Sequence, residues 1–474
     1  MKNIARLLFV ALFMMGVTIP GKAHVWVGDG NHSKGDRGLK QTTAGCSPSS
    51  AFEWLNINNV RTRINAGGDM WWDLPGGIGA QYFIPANGSA TSLFAGALWI
   101  AGVDINNQLK CAAVRFRQGP DVTSGGNDFW TGPLTLDGAN INEVTCAQWD
   151  QVWKISRAEV DEFISHLTGP KPSDNARYGI FDQSDENYTM PRIIKDWPAH
   201  PDVVGGDISG VSHYMAPFYD NDGDGEYTPE RGDFPYYDVA DELCHTKIPT
   251  MDEQNEPQHI HGSILSDQVL KGDQTLWWVF NDKGNSHTES MGAAIGLEIR
   301  AQAFGFSTND EINNMSFCSY EIINRSTYEL TGTYFCPWTD VDLGYAKDDY
   351  VGCDVRRGLG YGYNGPSIDG SGEPEAYGDQ PPAVGIDFFQ GPYMDPDGLD
   401  NPKYVYNKVF TGLDAITGDS LFTITDSTQM CDESINGVNF GNGIIDDERF
   451  GMRRFLYHNN DNSTTGDPKY AADY

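Results

Sequence analysis

The sequence predicts a mainly β protein, built of β-sandwich-like domains with long Gly/Asp-rich loops and at least one short helix. Three observations carry this expectation. From about Phe52 onward, short apolar or alternating runs are punctuated by Gly, Asn, Asp and Pro, the rhythm of short strands joined by frequent turns. No internal repeat is visible, which disfavours propellers and solenoids. The 12 Trp, 22 Tyr and 23 Phe supply enough large rings to fill a core, so the high charge does not spell disorder.

The elements follow in order. Residues 92–103 and 108–116 read as two strands of a hairpin, turned through Asp104-Ile105-Asn106-Asn107. A helix is expected after Ile155. Ser156 and Glu159 form a capping box, Ile155 and Val160 a hydrophobic staple, and Phe163, Ile164 and Leu167 continue the apolar face until Gly169-Pro170 stops it. Further strands are expected at 275–280, 295–306, 315–323, 328–335 and 420–425, those between Ile295 and Phe335 as a meander. A composition shift between Tyr237 and Ser263 suggests a boundary, with a β-rich domain over 51–240 and a second over 264–474. Trp71-Trp72 and Trp277-Trp278, if extended, put one indole on each face of a strand. One ring of each pair then meets a core, and the other is covered by a loop or stacks on a ligand.

The N-terminus has the layout of a signal peptide over 1–23. Lys2 and Arg6 give a positive start, 7–20 an apolar stretch, and Gly21-Lys22-Ala23 a small-x-small cleavage site. That stretch is shorter than the roughly 20 residues that span a bilayer, and nothing later in the chain reaches that length, so no membrane-spanning segment is expected in the mature chain. Residues 24–50 read as a flexible leader. The eight cysteines all follow Ala23 and include no CxxC pair, which disfavours zinc ribbons and thioredoxin-type sites. Cys111 with Cys146, and Cys318 with Cys336, are the expected local disulfides. The net charge of −34 disfavours nucleic acid and anionic lipid as partners.

The strongest site signal is Asp220-Asn221-Asp222-Gly223-Asp224-Gly225-Glu226-Tyr227-Thr228-Pro229-Glu230. Carboxylates at positions one, three and five and glycine at six match the start of an EF-hand-type calcium loop. The Glu226 carbonyl and Thr228, or a water, would follow as ligands. Position twelve is Arg231 instead of a bidentate glutamate, so Glu230 or Asp233 would have to complete the shell, and no amphipathic helix pair flanks the loop. Weaker acidic clusters lie at 436–448 (Asn439, Asn442, Asp446, Glu448), at Asp340, Asp342, Asp348, Asp349 and Asp354, and at Asp395, Asp397 and Asp400. His259 and His261 share one side of an extended segment but lack a third metal ligand at fixed spacing. Arg231-Gly232-Asp233 reads as an incidental adhesion tripeptide. There is no GxSxG elbow, HExxH helix or phosphate-cradling glycine loop.

The stretches NNVRTRINAGGDMWWDLPG, SLFAGALWIAGVD, APFYDNDGDGEYTPERGDFPYYD, GDQTLWWVFNDKGNSHTE, FSTNDEINNMSFCSYEIINRS, DDYVGCDVRRGLGYGYNG and GIIDDERFGMRRFLYHNN resemble the N-terminal ectodomains of large exported Bacteroidota proteins, many of them cargo of the type IX secretion system. The resemblance implies export and a long β-rich ectodomain more than an activity. The polar end, residues 459–474, lacks the sorting domain usual in that group, as expected of a fragment or of another export route. The functional expectation is a secreted or cell-surface structural or binding protein, adhesin-like, with calcium-braced loops and extracellular polysaccharide or surface proteins as partners. The alternatives are a secreted glycan- or peptide-active hydrolase and a glycan-binding module.

Overall fold

In the computed structural model, every residue of the Gln274–Asn281 strand is buried, and its alternation shows how the chain layers. Leu276, Trp278 and Phe280 join one hydrophobic core, while Trp277 and Val279 join another. A strand covered on both faces belongs to the middle layer of three. The structure describes residues 44–73, 79–116, 126–237, 270–327, 329–394, 397–402 and 437–457, and the backbone alone of 6–8, 259–260, 404–413, 420–429 and 458. The expected cleavage site, most of the leader, Cys244, His261, Asp395 and Cys431 lie outside the described residues.

The first sheet runs in the order Leu330–Asp340, Ala95–Asp104, Asp69–Met70, Arg61–Asn65, Tyr82–Phe83 and Thr91–Leu93, with Leu109–Ala112 and Phe52–Leu55 pairing alongside. The second is ordered Trp130–Thr131, Gln274–Asn281, Leu297–Gly305 and Phe317–Asn324, and Trp153–Ser156 also pairs with Gln274–Asn281. The ladders joining these strands are antiparallel. Side chains from both sheets share a single core, among them Leu55, Ile64, Ile100 and Trp338 from the first and Leu276, Trp278, Ile299 and Ala301 from the second. The fold is mainly β, and these two sheets form a sandwich. The other face of the second sheet is covered by a cap of the Arg157–Ser165 helix and the irregular segment up to Tyr237, which supplies Trp197, Phe218, Tyr219, Phe234 and Tyr236 to the second core.

The helix begins where its capping box places it. Ser156 Oγ accepts from Glu159 N, and the Glu159 carboxylate accepts from Ser156 N at 2.8 Å. Ile155 and Val160 are both fully buried. The hairpin also forms, Ala95–Asp104 against Leu109–Ala112.

Three expectations change. Residues from both sides of the expected boundary pair directly: Trp153 lies opposite Trp277, and Ile100 opposite Phe335. The chain on either side therefore builds one sandwich, not two separate ones. The meander keeps only its first two strands, because Leu330–Asp340 crosses to the first sheet and pairs with Ala95–Asp104. Among the described residues a disulfide joins Cys46 to Cys146, and neither expected pair forms, because Cys111 and Cys318 keep free thiols. Cys318 and Cys336 are close in sequence but sit on strands of different sheets.

The tryptophan pairs divide. Trp277 and Trp278 take opposite faces, and the cap covers Trp277. Trp71 and Trp72 both enter the first core, because Trp71 has φ +73° and so breaks the strand alternation. Its ring lies against Gly96, where a Cβ would stand 2.5 Å from it.

Candidate metal centre

Two short strands of the cap, Phe218–Tyr219 and Phe234–Pro235, pair antiparallel and close the acidic loop at its base. Asp220 and Asp233 stand at the two ends of that loop, both fully buried. Asn221 locks it from inside: its side chain accepts from Tyr178 N at 3.0 Å and donates to the carbonyls of Tyr178 and Arg231. Gly225 makes the sharp bend expected of it, with φ +83°.

The structure brings Asp220, Asp222 and Asp224 together, one carboxylate oxygen of each lying within 4.8 Å of the others. Asp220 accepts from Gly223 N at 2.7 Å and from Gly225 N at 2.9 Å. The Asp222 side chain is only 2% exposed, and its Oδ1 has no hydrogen-bond partner among the described residues. Arg231, the residue at position twelve, pairs through Nε with Asp222 Oδ2 and lies 3.9 Å from Asp224 Oδ2. An arginine thus stands where a calcium loop would place its last carboxylate.

The other expected ligands are placed less directly. Asp233 accepts from Asn221 N and Thr228 N, one on each oxygen. Burial, reinforced by Asp220 and Asp222, pushes its carboxyl up to about 8 against those two donors. Thr228 contributes its backbone N–H to that contact, and the Glu230 carbonyl accepts from Phe181 N. The Glu226 side chain meets His213, its Oε1 lying 3.4 Å from His213 Nε2. The Arg-Gly-Asp tripeptide has its aspartate buried and presents no adhesion loop.

Sequence reasoning missed a second convergence beside this loop. His200, His213 and Glu226 each offer one ligand atom within 4.8 Å of the others. The imidazoles stack at 4.1 Å, and burial lowers the His200 pKa below its ordinary value. The histidines singled out from sequence do not form such a group. His259 belongs to a backbone pairing with Phe218, and His261 lies outside the described residues.

The weaker acidic clusters are held in part by backbone donors, although Asp348 Oδ1 and Asp349 Oδ1 are buried with no hydrogen-bond partner among the described residues. Asp400 accepts from Gly441 N and Gly443 N, and Asp446 accepts from Asp397 N and Gly398 N. The segments 397–401 and 437–448 therefore brace each other through backbone donors. Asp369 accepts from Tyr345 N and Tyr377 N, and Asp349 from Leu343 N. Among the described residues, no helix is long and apolar enough to cross a membrane. No family model, curated protein or solved structure matches the chain.

Proposed function

We propose that this chain is an exported, non-catalytic structural or binding module, adhesin-like, in which calcium braces the loop between Tyr219 and Phe234. The observation that carries the reading is Asp222 Oδ1, a buried carboxylate oxygen with no hydrogen-bond partner among the described residues, in a cluster of three carboxylates. A buried anionic oxygen is costly unless compensated, and a hard divalent cation is the partner that suits several carboxylates at once. Asp220, Asp222 and Asp224 would hold the ion, with Asp233 behind them. Arg231 is half exposed and can release Asp222 to the ion by moving into water. Export is supported by the charged, apolar and small-residue pattern of residues 1–23. Extracellular polysaccharide or surface proteins remain the proposed partners. A glycan-binding reading through exposed tryptophans gains no support, because none of the exposed large apolar side chains among the described residues is a tryptophan.

Free-standing extracellular calcium loops bind at roughly 0.1–1 mM. At about 100 times Kd, binding adds about 2.7 kcal/mol to stability. The test is thermal unfolding in chelator and in calcium. Wild type is expected to melt higher with calcium, and Asp222→Asn to lose most of that rise. Arg231→Glu, which supplies the missing carboxylate and removes the competing cation, is expected to enlarge it. Identical melting of wild type with and without calcium sinks the proposal.

A further inference from the structure

The His200, His213 and Glu226 group carries an inference independent of the calcium reading. We propose that these three side chains form a second metal site, specific for a divalent transition ion of the zinc class, with solvent completing the coordination.

The argument begins with the backbone. Met215 N donates to Ala199 O at 2.8 Å and Ala216 N to Pro198 O at 2.9 Å, which clamps the two histidine-bearing segments side by side. His200 Nδ1 then lies 2.8 Å from the His213 carbonyl. A carbonyl only accepts, so Nδ1 carries the proton and Nε2 presents its lone pair. Histidine ligands of metals are oriented by this kind of contact, with the non-ligating ring nitrogen donating to a carbonyl or carboxylate.

The free nitrogen needs an explanation of its own. His200 is 3% exposed, and its Nε2 is buried without a hydrogen-bond partner among the described residues. It belongs to a group whose other members, His213 and Glu226, are half exposed or more. Those two already stand at a ligand-like spacing. With bonds of about 2.1 Å, a tetrahedral ion holds neighbouring ligand atoms roughly 3.4 Å apart, and His213 Nε2 lies 3.4 Å from Glu226 Oε1. A small closure of His200 toward the pair would complete the site.

The donor set decides the class of ion. Calcium and magnesium take oxygen ligands, whereas two imidazoles and one carboxylate suit zinc and its neighbours. The two centres share one loop without sharing a ligand side chain. Asp224 Oδ1 accepts from Glu226 N at 2.9 Å, so the aspartate loop fixes the backbone that presents Glu226. The plain alternative is a surface ion pair between His213 and Glu226 above a neutral buried His200.

The test uses the full chain without a polyhistidine tag, stripped of metal and kept in saturating calcium, titrated with Co2+ and then with Zn2+. One Co2+ per chain is expected, with a visible absorption band that zinc abolishes. His213→Ala and Glu226→Gln change side chains that are half exposed or more and are expected to preserve folding. Each is expected to weaken Co2+ binding by at least about tenfold, the smaller loss typical when even an outer-shell partner is removed. Asp222→Asn is expected to leave it unchanged. Absence of stoichiometric Co2+ binding, or equal binding by wild type and the two variants, overturns the site. Loss of Co2+ binding in Asp222→Asn would place the ion on the aspartates and overturn it equally.

Discussion

Trp277 and Trp278 are neighbours in one strand, are each 1% exposed, and pack into different cores. Trp277 lies opposite Trp153, their rings 5.7 Å apart, and binds the cap to the second sheet. Trp278 instead fills the space between the two sheets. Replacing either by alanine is expected to cost about 3–5 kcal/mol in urea unfolding. Trp278→Phe should cost clearly less than Trp278→Ala. It keeps a ring and deletes an indole N–H that has no hydrogen-bond partner among the described residues. Equal losses for Phe and Ala at 278 would show that ring packing there contributes nothing.

A second prediction concerns Glu298, which is wholly buried on the cap side of the second sheet. Its Oε1 accepts from Arg300 at 3.0 Å and Arg325 at 3.1 Å, and its Oε2 accepts from Leu134 N at 2.9 Å. Burial raises the Glu298 pKa, but Arg300 and Arg325 outweigh it and hold the carboxyl below its ordinary value. Glu298→Gln removes the anion that two buried guanidinium groups share, leaving Arg300 the longer 3.8 Å contact with Glu321, and is expected to cost about 3–5 kcal/mol. The sign in pH follows. A depressed carboxyl stabilises the fold above the unfolded value of about 4.3, and that contribution is lost as pH falls through the lower folded value. Urea unfolding at pH 7 and pH 3 should therefore show wild type and Glu298→Gln closer together at the lower pH.

The layers and the candidate metal sites were legible in the sequence to different degrees, and the reason is locality. The helix at Arg157–Ser165 and the hairpin of Ala95–Asp104 with Leu109–Ala112 are set by residues within a few positions of one another. The aspartates 220, 222 and 224 are likewise a single local pattern. Which strands pair across the chain is not local: Leu330–Asp340 leaves its sequence neighbours for a strand more than 200 residues earlier because both belong to the first core. The partner of Cys146 is a residue 100 positions away. His200, His213 and Glu226 come from three segments with no fixed spacing, so no motif announces them. Trp71 was misread for another reason: its positive φ cannot be seen in an alternating pattern.

The last prediction concerns Asp349, at the start of the Asp349–Asp354 strand. Its Oδ2 accepts from Leu343 N at 3.0 Å, while its Oδ1 is buried with no hydrogen-bond partner among the described residues. Burial pushes the carboxyl up to about 8, and the charges of Asp342, Asp348 and Asp369 push in the same direction against that one donor. Unfolded, the group titrates near about 3.9. Between those two values the folded chain holds a proton that the unfolded chain has released, so stability falls as pH rises from about 4 to about 8 and levels off above that. Asp233, also raised to about 8, adds a slope of the same sign, so the comparison must be differential. Asp349→Asn keeps the neutral shape at every pH. Urea unfolding in chelator at pH 5, 7 and 9 should show the variant gaining on wild type as pH rises. Parallel curves would mean that the Asp349 carboxyl ionises in the folded chain as easily as in water.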